Sequence, residues 1–441
     1  MTVTHLSVAI VLAGGALLRS VVRRRGANAF AIFIGLFMLF VPFGIIVVSI
    51  YAHVYQVHPS QYIGRTSMEA LENLKGGIAA FAATGFMLLV AHPSPQRHSK
   101  GGDVIDVRRL MVNFRTTVLV IQVFAIAMCV WVLMGVDLRA APLLNIGTYT
   151  IKEMDYYRWT FFDNGLVARA AVLRYLAFYL GFPALGFFKG IGARVSWITI
   201  ALTYFVVLLT LAKTGFILIS VGILIGTYLR TRSIRSIAYW ISIIIVGFFV
   251  VVWGKYATEI SRSFVDVTNV LVIRSLAIPI VISGAYSEIY SYDMGLRSSE
   301  WYTYIVGGKF IILPQDACRR MVGATCNMTT GIFGMAFPNI PRSLHWAYFA
   351  LFQGVVFASS VLVSLIRDTS ASRLIMIAVG FSSGFIFLTE PFTALNSYGF
   401  VYATIVALAL VGTQGRSRRF SNTRANLRRP SKRLSINESP I

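Results

Sequence analysis

Apolar residues recur along this chain in runs of about the length that a hydrocarbon core of roughly 30 Å requires of a helix, close to 20 residues. Such runs fall at 4–20, 29–53, 77–92, 114–135, 166–188, 195–212, 215–229, 236–253, 343–366, 373–389 and 393–413. Between them lie short, mostly charged connectors, with one exception. From Gly254 to Arg342 the pattern breaks into a long interruption carrying Arg, Lys, Tyr and Trp, with one apolar stretch at Val270–Tyr286. The pattern predicts an all-α, polytopic helical membrane protein with about eleven transmembrane helices and one large outward-facing loop. It divides into transmembrane helices over 1–253, the loop over 254–342, further helices over 343–413 and a tail over 414–441.

Charge orders the connectors into two faces. Arg19/Arg23/Arg24/Arg25, Arg97/Lys100/Arg108/Arg109, Lys189/Arg194, Arg230/Arg232/Arg235 and Arg367/Arg373 alternate onto one side. The opposite side holds most of the carboxylates, including Glu69, Glu72, Asp137, Glu153, Asp155 and Asp163. Basic connectors mark the cytoplasmic side. A full crossing by Val270–Tyr286 would force the basic tail outside. That stretch also holds Arg274, with Glu288 close behind, both costly at bilayer depth unless buried in protein. The expectation is therefore an N-terminus outside, a C-terminus inside, and a re-entrant or interfacial segment within an outward loop.

Composition agrees with that picture: 56% of residues are hydrophobic and 13% charged. The formal charge of +23 would suggest nucleic acid in a soluble chain. Here the basic residues flank apolar spans, so they are read as membrane-orienting charges and no nucleic-acid partner is expected. Three cysteines are too few for a disulfide framework or a Cys-based metal site. Cys318 and Cys326 face the compartment where a disulfide can form. No cleavable signal is expected, because the first apolar run is followed rather than preceded by arginines. The Arg/Ser/Asn-rich tail is expected to be disordered and drawn to anionic lipid.

Four outward elements hold candidate chemistry. The connector 135–164 mixes Tyr156 and Tyr157 with Lys152, Glu153, Asp155 and Arg158, which suits either sugar binding or an ordinary solvated loop. Lys213 lies in a tight turn, Thr210 to Gly215, followed at once by a helix whose amides would favour a phosphate; the alternative is a snorkelling lysine. The long loop carries Arg274, Arg297, Arg319 and Arg320 among Glu288, Asp293 and Glu300, with Tyr286, Tyr290 and Trp301. Arginine's fork suits phosphate, so a lipid-linked pyrophosphate is one reading and a charged structural cap the other. Last, a Gly-rich stretch from Gly331 to Asn339 runs into Arg342 and His345, where the histidine is either a proton acceptor or a helix cap. No nucleotide-binding loop, zinc-protease helix or serine-hydrolase elbow is present.

On these residues the organisation resembles bacterial polysaccharide polymerases of the Wzy type, within the O-antigen polymerase and ligase group. Those proteins are similar in their many spans, their large periplasmic loop late in the chain, and a Gly- and Arg-containing turn between apolar helices. The matching turn here is Leu211-Ala-Lys213-Thr-Gly215, with lysine where the family has arginine. Arg297…Gly308 and Arg320…Gly331 both fit an arginine–glycine spacing seen in the family's loops. Gly331 to Asn339 resembles its Gly-rich, Asn-containing lead into the following helix.

The resemblance implies an inner-membrane enzyme that polymerises undecaprenyl-pyrophosphate-linked oligosaccharide repeat units into a surface polysaccharide, with no metal or cofactor. It further implies a chain-length regulator and a flippase as partners. In that scheme Lys213, Arg274, Arg297, Arg320, Arg158 and Asn339 bind the lipid-linked substrate, and Glu288, Asp293 or His345 serves as the base. Rival readings are an O-antigen ligase and a polysaccharide flippase or other transporter. The lack of a loop histidine before His345 disfavours the first. Unmatched halves, and intramembrane charge limited mainly to Arg169 and Arg174, disfavour the second.

Overall fold

The computed structural model describes residues 2–54, 68–93, 125–131, 138–146, 182–190, 196–209, 213–231, 233–256, 276–290, 330–366 and 369–388, with shorter pieces and single positions between and beyond these stretches. Among them the regular structure is helical, with no strand. Four helices are long and apolar enough to cross a membrane: Val3–Arg25, Ala29–Ile50, Ala70–Ala91 and Arg342–Ser364. Shorter apolar helices cover Trp197–Leu209, Arg235–Val250, Ile278–Ile289 and Ile375–Phe387. The runs at 166–188 and 393–413 lie largely, and the tail wholly, outside the described residues; of the run at 114–135, residues 125–131 are described and helical.

Local signals place the first helices. Thr2 accepts a hydrogen bond from the His5 amide to start α1 (Val3–Arg25), and three arginines close its last turn, where cations meet the negative end of the helix dipole. Asn28 caps α2 (Ala29–Phe40) by accepting from the Ala31 amide at 2.7 Å. The run read as one span at 29–53 is the single span Ala29–Ile50, with an irregular turn at Val41 where α3 (Pro42–Val54) follows α2. A proline has no amide to give to the preceding turn, so one helix hydrogen bond is missing there while the span continues. After α4 (Met68–Glu72), α5 (Lys75–Ala91) covers the run expected at 77–92.

Further along, α6 (Phe182–Gly190), α7 (Trp197–Leu209), α8 (Lys213–Thr231) and α9 (Ile234–Tyr256) follow in order. Gly186 and Gly190 are four residues apart on α6. A Cβ on Gly190 would sit 2.7 Å from the Gly226 backbone, and one on Gly186 would meet the Ile219 carbonyl. Helices in lipid associate by such small-residue faces, because apolar side chains gain little by leaving lipid for protein.

The interruption contributes two described helices, α10 (Ile278–Ile289) and α11 (Ile332–Asn339). At 1.5 Å per residue, α10 extends about 18 Å, well short of a bilayer's width. Both helices are largely buried, and Ile280, Val281, Ala285, Tyr286, Ile332, Phe333 and Met335 belong to the same core as α1, α2 and α5. Behind them, α12 (His345–Ser364) and α13 (Thr369–Gly384) complete that core. Its centre is a set of phenylalanine rings. Phe81 lies 4.7 Å from Phe37, 5.4 Å from Phe333 and 5.6 Å from Phe387, in tilted and edge-on arrangements that aromatic quadrupoles favour.

Candidate functional site

Hydrogen bonds sort the helix ends into two groups. At one end the Val3 amide donates to Glu72 Oε1 at 2.7 Å, and Thr4 meets Ser49 at 2.8 Å. There too Asn73 donates to Ser287 Oγ, which lies 2.6 Å from the Gly284 carbonyl and 3.3 Å from the Ala70 carbonyl. At the other end Arg25 donates to the His92 carbonyl at 2.9 Å, and His92 Nε2 lies 2.9 Å from Ser360 Oγ. Ser360 Oγ accepts the Phe30 amide at 3.0 Å. The helix ends read from charge as outward and those read as inward thus form two separate clusters. The site is sought in the first.

There α10 and α11 are held together by Ser283 and Thr330, whose hydroxyls are 2.8 Å apart. Close approach is built in. A Cβ on Gly334 would lie 2.9 Å from Ser283 Cα, and one on Gly331 would collide with the Phe387 carbonyl. The glycines of this stretch therefore serve helix packing.

Each helix presents an aromatic face to a cation. Tyr286 on α10 and Tyr290 just past its end are both buried and pack in a tilted pair with ring centroids 5.1 Å apart, and the exposed Arg320 guanidinium sits 5.5 Å over Tyr290. On α11, Phe337 carries the guanidinium of the exposed Arg342 at 5.6 Å. A guanidinium over a ring is attracted by the ring's quadrupole, which fixes where its positive charge sits. Phe337 also meets His345 edge-on at 4.9 Å.

His345 opens α12, and its Nε2 lies 3.1 Å from the Ile340 carbonyl. A carbonyl only accepts, so Nε2 carries the proton, and any proton taken from a substrate would go to Nδ1. The same contact is what a capping histidine makes. Asn339 is buried and donates to the Met335 carbonyl at 2.8 Å. Glu288 is exposed on the last turn of α10. Glu288 is thus on α10, Asn339 on α11 and His345 at the head of α12, while Arg320 sits over Tyr290 just past the end of α10.

Lys213 is the first residue of α8 rather than part of the preceding turn, which instead holds Leu211 at φ 50. Its side chain lies outside the described residues, as do Arg158, Arg274, Asp293 and Arg297, and Cys318 and Cys326. No cluster of three or more metal-ligating side chains occurs among the described residues.

Several polar side chains that matter here were not singled out from sequence. Gln353 is fully buried in α12, donating to the Phe81 carbonyl at 2.7 Å, while its Oε1 has no partner. Glu72 secures the first amide of α1, and His92 with Ser360 ties three helix ends. A glutamine in the middle of an apolar run is a visible signal.

Comparison with protein families, with curated proteins and with solved structures finds no match to the chain.

Proposed function

We propose that the chain is a polysaccharide polymerase of the Wzy type, acting at the outer membrane face on undecaprenyl-pyrophosphate-linked oligosaccharides. The observation carrying this reading is the seating of Arg320 over Tyr290 and of Arg342 over Phe337, at the ends of two buried helices, one of which carries Glu288 while His345 packs on the other. The sequence reading of about eleven spans with an outward interruption agrees with it, since on that reading those cations would lie at the lipid surface.

The reaction moves a growing glycan from its carrier to a new lipid-linked unit. The bond between the anomeric carbon and the pyrophosphate oxygen breaks, and the pyrophosphate leaves with the bonding electrons. The acceptor hydroxyl oxygen closes the new glycosidic bond, and its proton passes to a carboxylate or an imidazole. Arg320, with Lys213, Arg274, Arg297 and Arg158, supplies positive charge where charge develops on the leaving group. Glu288, Asp293 or the Nδ1 of His345 takes the proton, and Asn339 contacts the substrate.

The test is the glycan profile of cells carrying Arg320→Ala, Arg274→Ala or Arg297→Ala at normal protein levels. The reading expects single lipid-linked units with loss of polymer. Normal chain lengths in all three would refute it. Units left on the cytoplasmic face would point to a flippase, and full-length free polymer not joined to its acceptor would point to a ligase.

A further inference from the structure

From Asn164 to Thr258 the sequence holds no carboxylate, yet it contains Arg169, Arg174, Lys189, Arg194, Lys213, Arg230, Arg232, Arg235 and Lys255. Two of these are brought together. The Gly186/Gly190 face lays α6 along α8 in parallel, which sets the end of α6 beside the end of α8. The chain then turns, with the Gly192 amide donating to the Lys189 carbonyl at 3.0 Å. Gly192 has φ 75, and a Cβ there would lie 2.8 Å from Cζ of Arg230, so the turn rests directly against that guanidinium.

Lys189 folds over Trp197, its Nζ 3.2 Å from the ring centroid. Partial burial first, and the Arg230 guanidinium second, hold its ammonium below the usual lysine range. Neither Lys189 nor Arg230 meets a carboxylate among the described residues; the ion pair found there joins Lys75 and Glu72. Two cations held side by side without an acid repel each other unless an anion lies between them.

The surroundings identify the anion's source. Trp197, which lies under Lys189, is 62% exposed; Ile198 follows it and Tyr228 is one turn or less from Arg230 on α8, both also exposed. Exposed Trp and Tyr beside an exposed aliphatic side chain mark a surface at headgroup level. A phosphate there is that of a lipid. We propose that Lys189 and Arg230 form a site for the phosphate of an anionic phospholipid headgroup, with Trp197 and Ile198 against its glycerol and upper acyl chain. The site lies on the face that charge assigns to the cytoplasm, and it does not depend on the glycosyl-transfer reading.

The test compares purified full-length wild type with Lys189→Gln, Arg230→Gln and the control Arg23→Gln, an exposed arginine at the end of α1. Thermal unfolding is followed in nanodiscs of phosphatidylcholine alone and with phosphatidylglycerol, and co-purifying phosphatidylglycerol is measured by native mass spectrometry. In phosphatidylcholine, Arg230→Gln should unfold at a higher temperature than wild type, because a repulsion has been removed. Phosphatidylglycerol should stabilise wild type and Arg23→Gln. Its retention by either site variant should fall about tenfold or more, the size of a lost charge-assisted hydrogen bond. Equal loss from all three variants would overturn the site in favour of a diffuse basic surface. Inorganic phosphate stabilising wild type as well as the lipid does would overturn the lipid assignment. Destabilisation by Asp368→Asn in both lipids, with no lipid effect on wild type, would show that a carboxylate of the chain occupies the position instead.

Discussion

Replacing Ser360 with alanine removes one hydroxyl that three helices share. Its Oγ accepts the Phe30 amide of α2 at 3.0 Å and lies 2.9 Å from Nε2 of His92, just past the end of α5. Nδ1 of His92 faces the Pro93 carbonyl at 2.9 Å, so Nδ1 carries the ring proton and Nε2 accepts from Ser360. Ser360 and His92 are each 1% exposed and Phe30 is fully buried. The substitution therefore leaves an amide and an imidazole nitrogen buried without partners, at roughly 1–3 kcal/mol each. The sum is about 2–4 kcal/mol if water at the membrane surface partly rescues the imidazole. The assay is unfolding of the purified protein in an SDS titration, followed by far-UV circular dichroism, run as a cycle with His92→Leu. In the His92→Leu background Ser360→Ala orphans only the Phe30 amide, so its cost should drop by about 1 kcal/mol or more. Costs equal in the two backgrounds to within about 0.5 kcal/mol would refute the shared hydroxyl. A Ser360→Ala protein as stable as wild type would refute the whole node.

Two further outcomes follow from the same core. Burial first, and then the nearby Arg25 guanidinium, hold the His92 imidazole below the ordinary histidine value, against its hydrogen bonds to Pro93 and Ser360. The unfolded chain therefore binds the proton more readily than the folded one. Stability is greatest above about pH 6.5, falls as pH drops below that value, and levels off beneath the lowered folded pKa. Thermal unfolding between pH 8 and pH 5 checks this: wild type should lose stability on acidification that His92→Leu does not, and parallel curves would contradict it. Gly331→Ala presses a methyl against the Phe387 carbonyl, so the start of α11 must shift. About 1–3 kcal/mol is expected, read from the SDS midpoint, and an unchanged midpoint would show that the Gly331–Phe387 contact yields freely.

The spans were legible wherever local composition alone dictates helix. In a bilayer each amide must find its partner within its own segment, so a long apolar run has little choice of structure. That is why α5, α8, α9 and α12 fall close to the runs read from hydropathy. The irregular turn at Val41–Pro42 was equally local, but averaging apolar character across 29–53 concealed it. Less legible was the destination of the interruption. Hydropathy marked an apolar stretch near α10, but its packing rests on partners distant in sequence, such as Ala70 for Ser287 and Thr330 for Ser283. Single polar residues within apolar helices were lost for the same averaging reason. Gln353 and Ser360 hardly alter the hydropathy of α12, yet they supply its bonds to Phe81, Phe30 and His92. Among the site residues, sequence supplied the residue types around Arg320 and His345. It did not reveal that Tyr290 and Phe337 would carry the cations.

Cations at the two ends differ in one respect that decides their chemistry. Arg320 and Arg342 share their end of the helices with acids: Glu288 is on α10, and Glu72 hydrogen-bonds the start of α1. A cation beside a carboxylate can serve a reaction that needs both a stabilised leaving group and a proton acceptor. Lys189 and Arg230 lie in a stretch of sequence without acids and meet no carboxylate among the described residues, an arrangement that can hold an anion. The first arrangement suits turnover and the second suits retention. Neutralising the outer arginines should therefore alter glycan length and leave lipid retention unchanged, while neutralising Lys189 or Arg230 should do the reverse. If the two sets of variants gave the same phenotype, their charges would act only through the overall field of the protein, and neither site would stand.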